Sequence, residues 1–125
     1  MKTILIADDE EDARTIICMR LAKHPHLRIV EATNGHEALE LAREQQPDLI
    51  VLDWTMPGMS GIEVVRALRD NPALATTPVI MTTGRDDPSE LSEARALGVA
   101  AYVIKPFDPV ELMEKIQEVL TEKPR

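Results

Sequence analysis

The chain has 125 residues, of which 44% are hydrophobic and 29% charged, so it fits one globular domain with a buried core. Its net charge of −8 argues against direct nucleic-acid binding, because such binding rests on basic surfaces. No apolar run reaches the roughly 18 residues that a membrane span requires. The single cysteine, Cys18, cannot form an internal disulfide, which fits a cytoplasmic protein.

Short apolar runs alternate with helical patterns along the whole chain. The predicted strands cover 3–7, 27–32, 49–53, 78–83 and 101–105, and the predicted helices cover about 11–23, 35–46, 61–70, 88–97 and 109–121. Three strands are almost continuously apolar, which is typical of parallel strands covered on both faces. The strict alternation predicts an α/β fold, with one five-stranded parallel sheet between two layers of helices.

Caps and apolar stripes indicate the helix ends and their buried faces. Asn34, Ser60 and Asp108 stand where a side chain can cap a helix N-terminus. On the first and fifth helices, the residues expected to face the core are Ala13, Ile16, Ile17, Leu21, Val110, Met113, Ile116 and Leu120.

Polar side chains gather where the predicted strands end. These residues are Asp8 and Asp9 after the first strand, Asp53 in the third, Thr82 and Thr83 in the fourth, and Lys105 in the fifth. Ligands of open parallel sheets bind beyond the carboxyl ends of the strands, so neighbouring first and third strands would bring three carboxylates together. Two like charges 4 Å apart repel by about 4 kcal/mol at a surface-like dielectric. A cation or a proton must offset that repulsion, and oxygen ligands without nearby His or Cys favour Mg²⁺.

The acidic run at residues 8–12 also has a simpler interpretation. Acidic side chains in the first turn of a helix interact favourably with the helix macrodipole. Glu10, Glu11 and Asp12 are assigned that role alone.

Four segments together resemble the receiver domain of bacterial two-component response regulators. They are ILIADDEE (4–11), DLIVLDWTMPGMSGIEVVRALR (48–69), PVIMTTGRDD (78–87) and GVAAYVIKPFDPVEL (98–112). The resemblance covers essentially the whole chain, residues 1–125, as one receiver domain with its core at about 3–121 and a short polar tail at 122–125. It implies a flavodoxin-like (βα)5 three-layer sandwich with strand order 2-1-3-4-5.

The resemblance also implies the chemistry of the site. Asp53 corresponds to the phosphoacceptor, a carboxylate nucleophile that receives its phosphoryl group from a histidine kinase or a histidine phosphotransfer protein. The implied Mg²⁺ ligands are Asp9, Asp53 and the backbone carbonyl of Thr55, with Asp8 acting through water. Lys105 would pair with Asp53 before the reaction and with a phosphoryl oxygen after it.

The implied switch consists of a hydroxyl and an aromatic ring. Thr83, rather than Thr82, corresponds to the hydroxyl because Gly84 follows it, and Tyr102 corresponds to an aromatic side chain that turns from exposed to buried. The alternative for Tyr102 is a half-buried residue on an edge strand. The switch would change the surface of the fourth helix, fifth strand and fifth helix, and so regulate a protein target or an output domain of a longer chain. Many relatives also have a cis peptide bond before the residue that corresponds to Pro106.

Some positions leave alternatives open. Trp54 could shield an acyl phosphate from water or only pack in the core. Ala100 and Ala101 stand where some DNA-binding relatives have acids in a charged dimer surface, so we expect a monomer or a weak dimer.

Three other classes of protein are less consistent with the residues. Aspartate-nucleophile phosphatases usually need an acid two residues after the nucleophile, where this chain has Thr55. The acidic first turn would repel the phosphate of a flavin cofactor, and the complete set of site residues disfavours a degenerate receiver that only binds partners. We therefore expect that the protein is not an enzyme for other substrates and catalyses only the phosphorylation and dephosphorylation of its own aspartate.

Overall fold

The computed structural model describes residues 2–121, so the predicted polar tail lies outside the described residues. The strands are β1 (Lys2–Ala7), β2 (Leu27–Ala32), β3 (Leu49–Asp53), β4 (Val79–Thr83) and β5 (Ala101–Ile104). The helices are α1 (Glu11–Leu21), α2 (Gly35–Gln45), α3 (Gly61–Asp70), α4 (Pro88–Ala96) and α5 (Pro109–Thr121). Each predicted element is present. None of the helices is both long and apolar enough to cross a membrane, as judged from residues 2–121.

The sheet has the predicted order β2-β1-β3-β4-β5, and all of its strand pairs are parallel. Because β1 lies beside β3, with Ala7 opposite Leu52, the residues that follow these two strands reach the same edge of the sheet. β4 then pairs with β3 so that Thr82 lies opposite Asp53. The topology therefore places the predicted site residues at one carboxyl edge.

Successive residues of β1 point to opposite faces of the sheet and enter two separate cores. Leu5 and Ala7 belong to the core on the α2 and α3 side, and Ile4 and Ile6 belong to the core on the α1 and α5 side. The three-layer prediction is thus confirmed, and the carboxyl edge remains open for a site.

The predicted caps are present. Asn34 Oδ1 accepts a hydrogen bond from the Glu37 N–H at 2.8 Å. Ser60 and Glu63 form a reciprocal capping box at the start of α3. Asp108 Oδ1 accepts from the Val110 N–H at 2.9 Å. Local sequence therefore fixes where these helices begin.

The predicted buried face of α1 is partly wrong. Ile17 and Leu21 are buried, one helical turn apart, but Ile16 is 48% exposed and Ala13 is only half-buried. Consecutive residues on a helix point about 100° apart, so Ile16 lies on the flank once Ile17 faces the sheet.

The fifth helix shows a similar difference. Ile116 is buried as predicted, but its buried neighbour one turn earlier is Leu112, while Val110 is 47% exposed. Met113 and Leu120 only pack partly against the core. The helix therefore presents a face that is rotated from the predicted stripe, and Val110 in its first turn remains at the surface.

Gly61 sets the distance between β3 and α3. A Cβ atom at this position would overlap the Asp53 carbonyl oxygen and would crowd the Met81 side chain and Trp54 Cα. The Gly61 N–H donates to the Trp54 carbonyl at 2.7 Å. The start of α3 can approach the end of β3 this closely because residue 61 has no side chain.

We expect Gly61→Ala to lower the free energy of unfolding by about 1–3 kcal/mol, because the backbone of the Asp53 segment must shift to admit a methyl group. Urea denaturation followed by circular dichroism measures this change. Gly84→Ala is the matched control, since a Cβ there meets no atom within 4 Å. Equal midpoints for Gly61→Ala and the unmodified protein would contradict the close approach.

Candidate functional site

Four carboxylates cluster beyond the ends of β1 and β3. Asp8, Asp9 and Glu10 follow β1, and Asp53 ends β3. One oxygen atom from each lies within 4.8 Å of the others. Asp53 is only 4% exposed, and Asp8 is also buried, whereas Asp9 and Glu10 lie at the surface. The cluster is therefore a shallow pocket with a buried floor and an open rim.

The Lys105 ammonium group lies among these carboxylates. Its Nζ is 3.1 Å from Asp8 Oδ2 and 3.2 Å from Asp53 Oδ2. Glu10 Oε1 is 3.3 Å away. The Lys105 backbone N–H donates to the Thr83 carbonyl at 2.6 Å, which extends the pairing of β4 and β5 by one residue. The Lys105–Pro106 peptide bond is cis. Asp8, Asp53 and Lys105 are thus brought together as predicted.

The prediction that Glu10 serves only the helix dipole is wrong. Glu10 is the extended residue that precedes α1, and Glu11 and Asp12 alone occupy the first turn. The Glu10 N–H donates to Asp8 Oδ1 at 2.9 Å while its carboxylate contacts Lys105. The extended backbone turns this side chain back toward the sheet edge, so Glu10 belongs to the charged cluster.

Burial raises the pKa of Asp53 to about 6, and the negative charge of Asp8 contributes to the rise. Lys105 opposes it by charge and by its hydrogen bond, as does the Thr55 N–H, which donates to Asp53 Oδ1 at 3.4 Å. For Lys105, burial alone would lower the pKa, but the Asp53 and Asp8 carboxylates outweigh it and raise the pKa. Lys105 brings one positive charge to a cluster of four carboxylates, and this balance of charge favours an additional cation.

Arg14 supports the loop after β1, and the sequence alone did not indicate this role. Its Nη1 donates to the Asp8 carbonyl at 2.8 Å, and its Nε lies 3.4 Å from Glu31 Oε1. An arginine in the second turn of a helix is ordinarily a surface residue, so no pattern singles it out. Its two contacts hold the Asp8 backbone between α1 and β2.

The predicted switch residues meet around one backbone turn after β4. Thr83 is buried, and its Oγ1 accepts a hydrogen bond from the Arg85 N–H at 3.2 Å. The half-buried Tyr102 donates its hydroxyl proton to the Arg85 carbonyl at 3.4 Å. Trp54 is buried and packs edge-on against Tyr102, with ring centroids 6.2 Å apart. The residue after Asp53 is therefore in contact with the aromatic side chain of β5.

The residues of the cluster fit a hard divalent cation. All four side chains offer carboxylate oxygens, which Mg²⁺ prefers, and residues 2–121 place neither His nor Cys in the group. The rim is open to water, and Mg²⁺ usually retains several waters when it binds to a protein. Asp8, Asp9 and Asp53 are candidate ligands, and the Thr55 carbonyl belongs to the loop that follows Asp53.

The parallel sheet of order 2-1-3-4-5, with acids and a lysine at its carboxyl edge, defines a flavodoxin-like α/β protein of the receiver class. The sequence matches the family model described as the response regulator receiver domain over residues 4–117. The chain belongs to this family, whose members act in two-component signalling.

Individual relatives agree with this assignment. The chain is 39% identical to the chemotaxis protein CheY of Pseudomonas aeruginosa over 116 residues, which are 93% of this chain and 94% of CheY. It is 37% identical to the phosphate regulon transcriptional regulatory protein PhoB of the same organism over 119 residues, 95% of this chain and 52% of PhoB. The chain therefore spans about half the length of PhoB. The structure of the chemotaxis response regulator CheY4 of Vibrio cholerae superposes with a TM-score of 0.87 at 32% identity, covering 95% of this chain and 98% of CheY4.

We expect Asp53→Asn to raise the stability of the metal-free protein by about 1–2 kcal/mol at neutral pH, after allowance for solvent screening. The pKa of Asp53 rises from 3.8 to about 6 on folding, so the folded state binds this proton more tightly than the unfolded state. The destabilisation by Asp53 is absent below about pH 4, grows up to about pH 6, and is complete above it.

Urea midpoints at pH 4 and pH 7.5 in the presence of a chelator measure this effect. The exposed Asp86, changed to Asn, is the control for loss of one negative charge. A midpoint for Asp53→Asn that falls at pH 7.5, or a gain that is equal at both pH values, would contradict the conclusion that burial and the neighbouring Asp8 charge destabilise the ionised Asp53.

Proposed function

We propose that the protein is a Mg²⁺-dependent phosphoacceptor switch that takes a phosphoryl group onto Asp53. The observation that carries this proposal is the position of Lys105, with Nζ at 3.1 Å from Asp8 and 3.2 Å from Asp53 inside the acidic cluster. A buried carboxylate with a raised pKa, a nearby ammonium group and candidate metal ligands are the groups that phosphoryl transfer to an aspartate needs.

In the proposed reaction, an Asp53 carboxylate oxygen forms a bond to phosphorus while the bond from phosphorus to the imidazole nitrogen of the donor breaks. The electron pair of that bond remains on the ring nitrogen, and a proton carried by the other ring nitrogen makes the leaving group neutral imidazole, so the step needs no further co-reactant. The proposed donor is a histidine kinase or a histidine phosphotransfer protein. Its phosphohistidine would reach Asp53 through the open rim.

The other site residues would bind the metal ion and pair with the phosphoryl oxygens. Asp8, Asp9, Asp53 and the Thr55 carbonyl would hold Mg²⁺, which when bound supplies positive charge to the phosphoryl oxygens. Lys105 pairs with Asp53 in the unmodified protein and transfers that contact to a phosphoryl oxygen. Because Lys105 directly follows β5, this change of partner also links the acceptor to the strand that carries Tyr102.

The contacts around Arg85 support a switch through Thr83 and Tyr102. The Arg85 N–H is bonded to the Thr83 hydroxyl, and the Arg85 carbonyl is bonded to the Tyr102 hydroxyl. A phosphoryl oxygen that draws the Thr83 hydroxyl toward Asp53 would break the first bond and displace the turn. Tyr102 would then change position, and with it the surface formed by α4, β5 and α5 that would regulate a protein target or an output domain.

The surface beside the acceptor supports docking of a protein donor. Ala13 and Ile16 from α1 and Pro106 and Phe107 after β5 line a mainly apolar groove, whose lining also includes Lys105 and Glu10. Exposed apolar groups at the rim of a site mark interaction surfaces. The proposed docking surface also gives a role to Ile16, an apolar residue that is exposed on the flank of α1.

We propose that the protein does not turn over other substrates. An aspartate-nucleophile phosphatase is the alternative, but Thr55 stands where its general acid would be needed. We propose that the protein acts in the cytoplasm as a monomer or weak dimer, and that it affects transcription or motility only through a partner or output domain, without binding nucleic acid itself.

We expect a small phosphodonor such as acetyl phosphate, with Mg²⁺, to add one acid-labile phosphate to the protein. Intact-mass spectrometry measures the added mass, which should disappear with a chelator and in Asp53→Asn. The Asp86→Asn control should be labelled like the unmodified protein. Equal labelling of the unmodified protein and Asp53→Asn would show that the acceptor is another residue.

A further inference from the structure

The fourth helix is weakly embedded in the fold. Of its nine residues only Ala94 is buried, and Leu91 is half-buried, whereas α3 buries most of one face. Helices of this length gain most of their stability from tertiary packing. Because apolar packing against α4 is small, polar contacts must supply a larger share of what holds it in place.

Arg69, near the end of α3, provides the largest set of such contacts. Its Nε donates to the Leu97 carbonyl at 2.8 Å, and its Nη2 lies 3.4 Å from the Gly98 carbonyl. Its Nη1 donates to the carbonyls of Thr77 at 2.8 Å and Ala75 at 3.2 Å. A single guanidinium group thus joins the C-terminal end of α4 to the loop that connects α3 to β4.

The position of these carbonyls explains why a cation is suitable there. The last carbonyls of a helix lack partners within the helix and carry the negative end of its dipole. Within residues 2–121, none of the hydrogen-bond partners of Arg69 is a carboxylate; all are backbone carbonyls. The rigid fork of arginine carries donors on three separate nitrogen atoms and can reach carbonyls on both sides of the group, whereas the donors of lysine all stand on one nitrogen atom.

The contact lies just before the strand of the proposed switch. Gly98 has a left-handed backbone, with φ of +74°, and turns the chain from α4 toward β5. The Ala100 N–H then donates to the Val79 carbonyl at 2.8 Å, which begins the pairing with β4. Tyr102 follows two residues later. Arg69 therefore fixes the turn that sets how α4 and the start of β5 are presented.

We propose that Arg69 is a positioning residue that locks the C-terminal end of α4 to the α3–β4 loop and so restrains the surface formed by α4 and β5. Its local role follows from the contacts above. The consequence for signalling rests on the proposed function.

Hydrogen exchange measured by mass spectrometry tests this proposal in the unphosphorylated protein. In Arg69→Met, which keeps much of the apolar stem but removes every donor, we expect exchange of amides in 91–99 to accelerate about tenfold, while β1 and β3 change little. Arg69→Lys keeps the charge and offers a variant that folds if the methionine variant does not. Its exchange in this segment should be intermediate.

The matched control is Arg66, one helical turn earlier on α3. It pairs with Glu93 of α4 at 2.8 Å, but the two side chains are 53% and 40% exposed, and exposed ion pairs contribute little. Arg66→Met should therefore change exchange in 91–99 by less than about threefold. Equal effects of Arg66→Met and Arg69→Met, no acceleration in either Arg69 variant, or a uniform acceleration over the whole chain would overturn the proposal.

The phosphorylated protein provides a second comparison. Arg69→Met should still be labelled at Asp53 by acetyl phosphate, because Arg69 does not contact the acceptor site. The change in exchange of 88–99 on labelling should be smaller than in the unmodified protein, since α4 is already released. If labelling changes the exchange of 88–99 equally in Arg69→Met and in the unmodified protein, the link between Arg69 and signalling is refuted. If acetyl phosphate does not label the unmodified protein, the proposed function is refuted. The exchange result for the unphosphorylated protein would remain valid in that case.

Discussion

The interaction on which the site depends is the attraction between one ammonium group and several carboxylates that the fold forces together. Lys105 Nζ lies within 3.3 Å of Asp8, Asp53 and Glu10. Without that charge, burial of two carboxylates side by side would oppose folding, and with it Asp53 still has a raised pKa. The apolar cores on both faces of the sheet supply the stability that tolerates this residual repulsion. The repulsion between carboxylates is thus confined to the carboxyl edge of the sheet.

Backbone pairing gives these charges their fixed positions. The Trp54 N–H bonds to the Thr82 carbonyl and the Lys105 N–H bonds to the Thr83 carbonyl, so Asp53 and Lys105 each lie at the last rung of a strand pair. Gly61 then lets α3 close against the Asp53 segment. Side chains held by a sheet have little freedom to move apart when they repel. A bound cation can relieve the repulsion more readily than a rearrangement of the backbone.

The sequence was sufficient to predict the strands and the helices, because apolar runs and helical periodicity are local patterns, whereas the gathering of Asp8, Asp53 and Lys105 also required β1 to lie beside β3. The strand order came from the family resemblance, since periodicity alone does not rank the possible neighbours. The buried stripe predicted for α1 was wrong at Ile16, which lies on the exposed flank of the helix because Ile17 faces the sheet. Glu10 was misjudged because its contact depends on the backbone direction before α1. The contacts of Arg69 join distant segments of the chain through backbone carbonyls, which no residue pattern reveals.

The contacts that attach α4 to the fold explain how a local change at Asp53 could move the whole helix. At its N-terminal end, α4 is capped by Asp87, which stands two residues after Arg85, the residue whose backbone contacts both Thr83 and Tyr102. At its other end it is held by Arg69, with little apolar burial between. Polar contacts break and re-form over short distances, whereas packed cores resist gradual deformation. An element held by polar contacts at both ends can therefore adopt a second position when one end is released, while the cores beneath it stay unchanged.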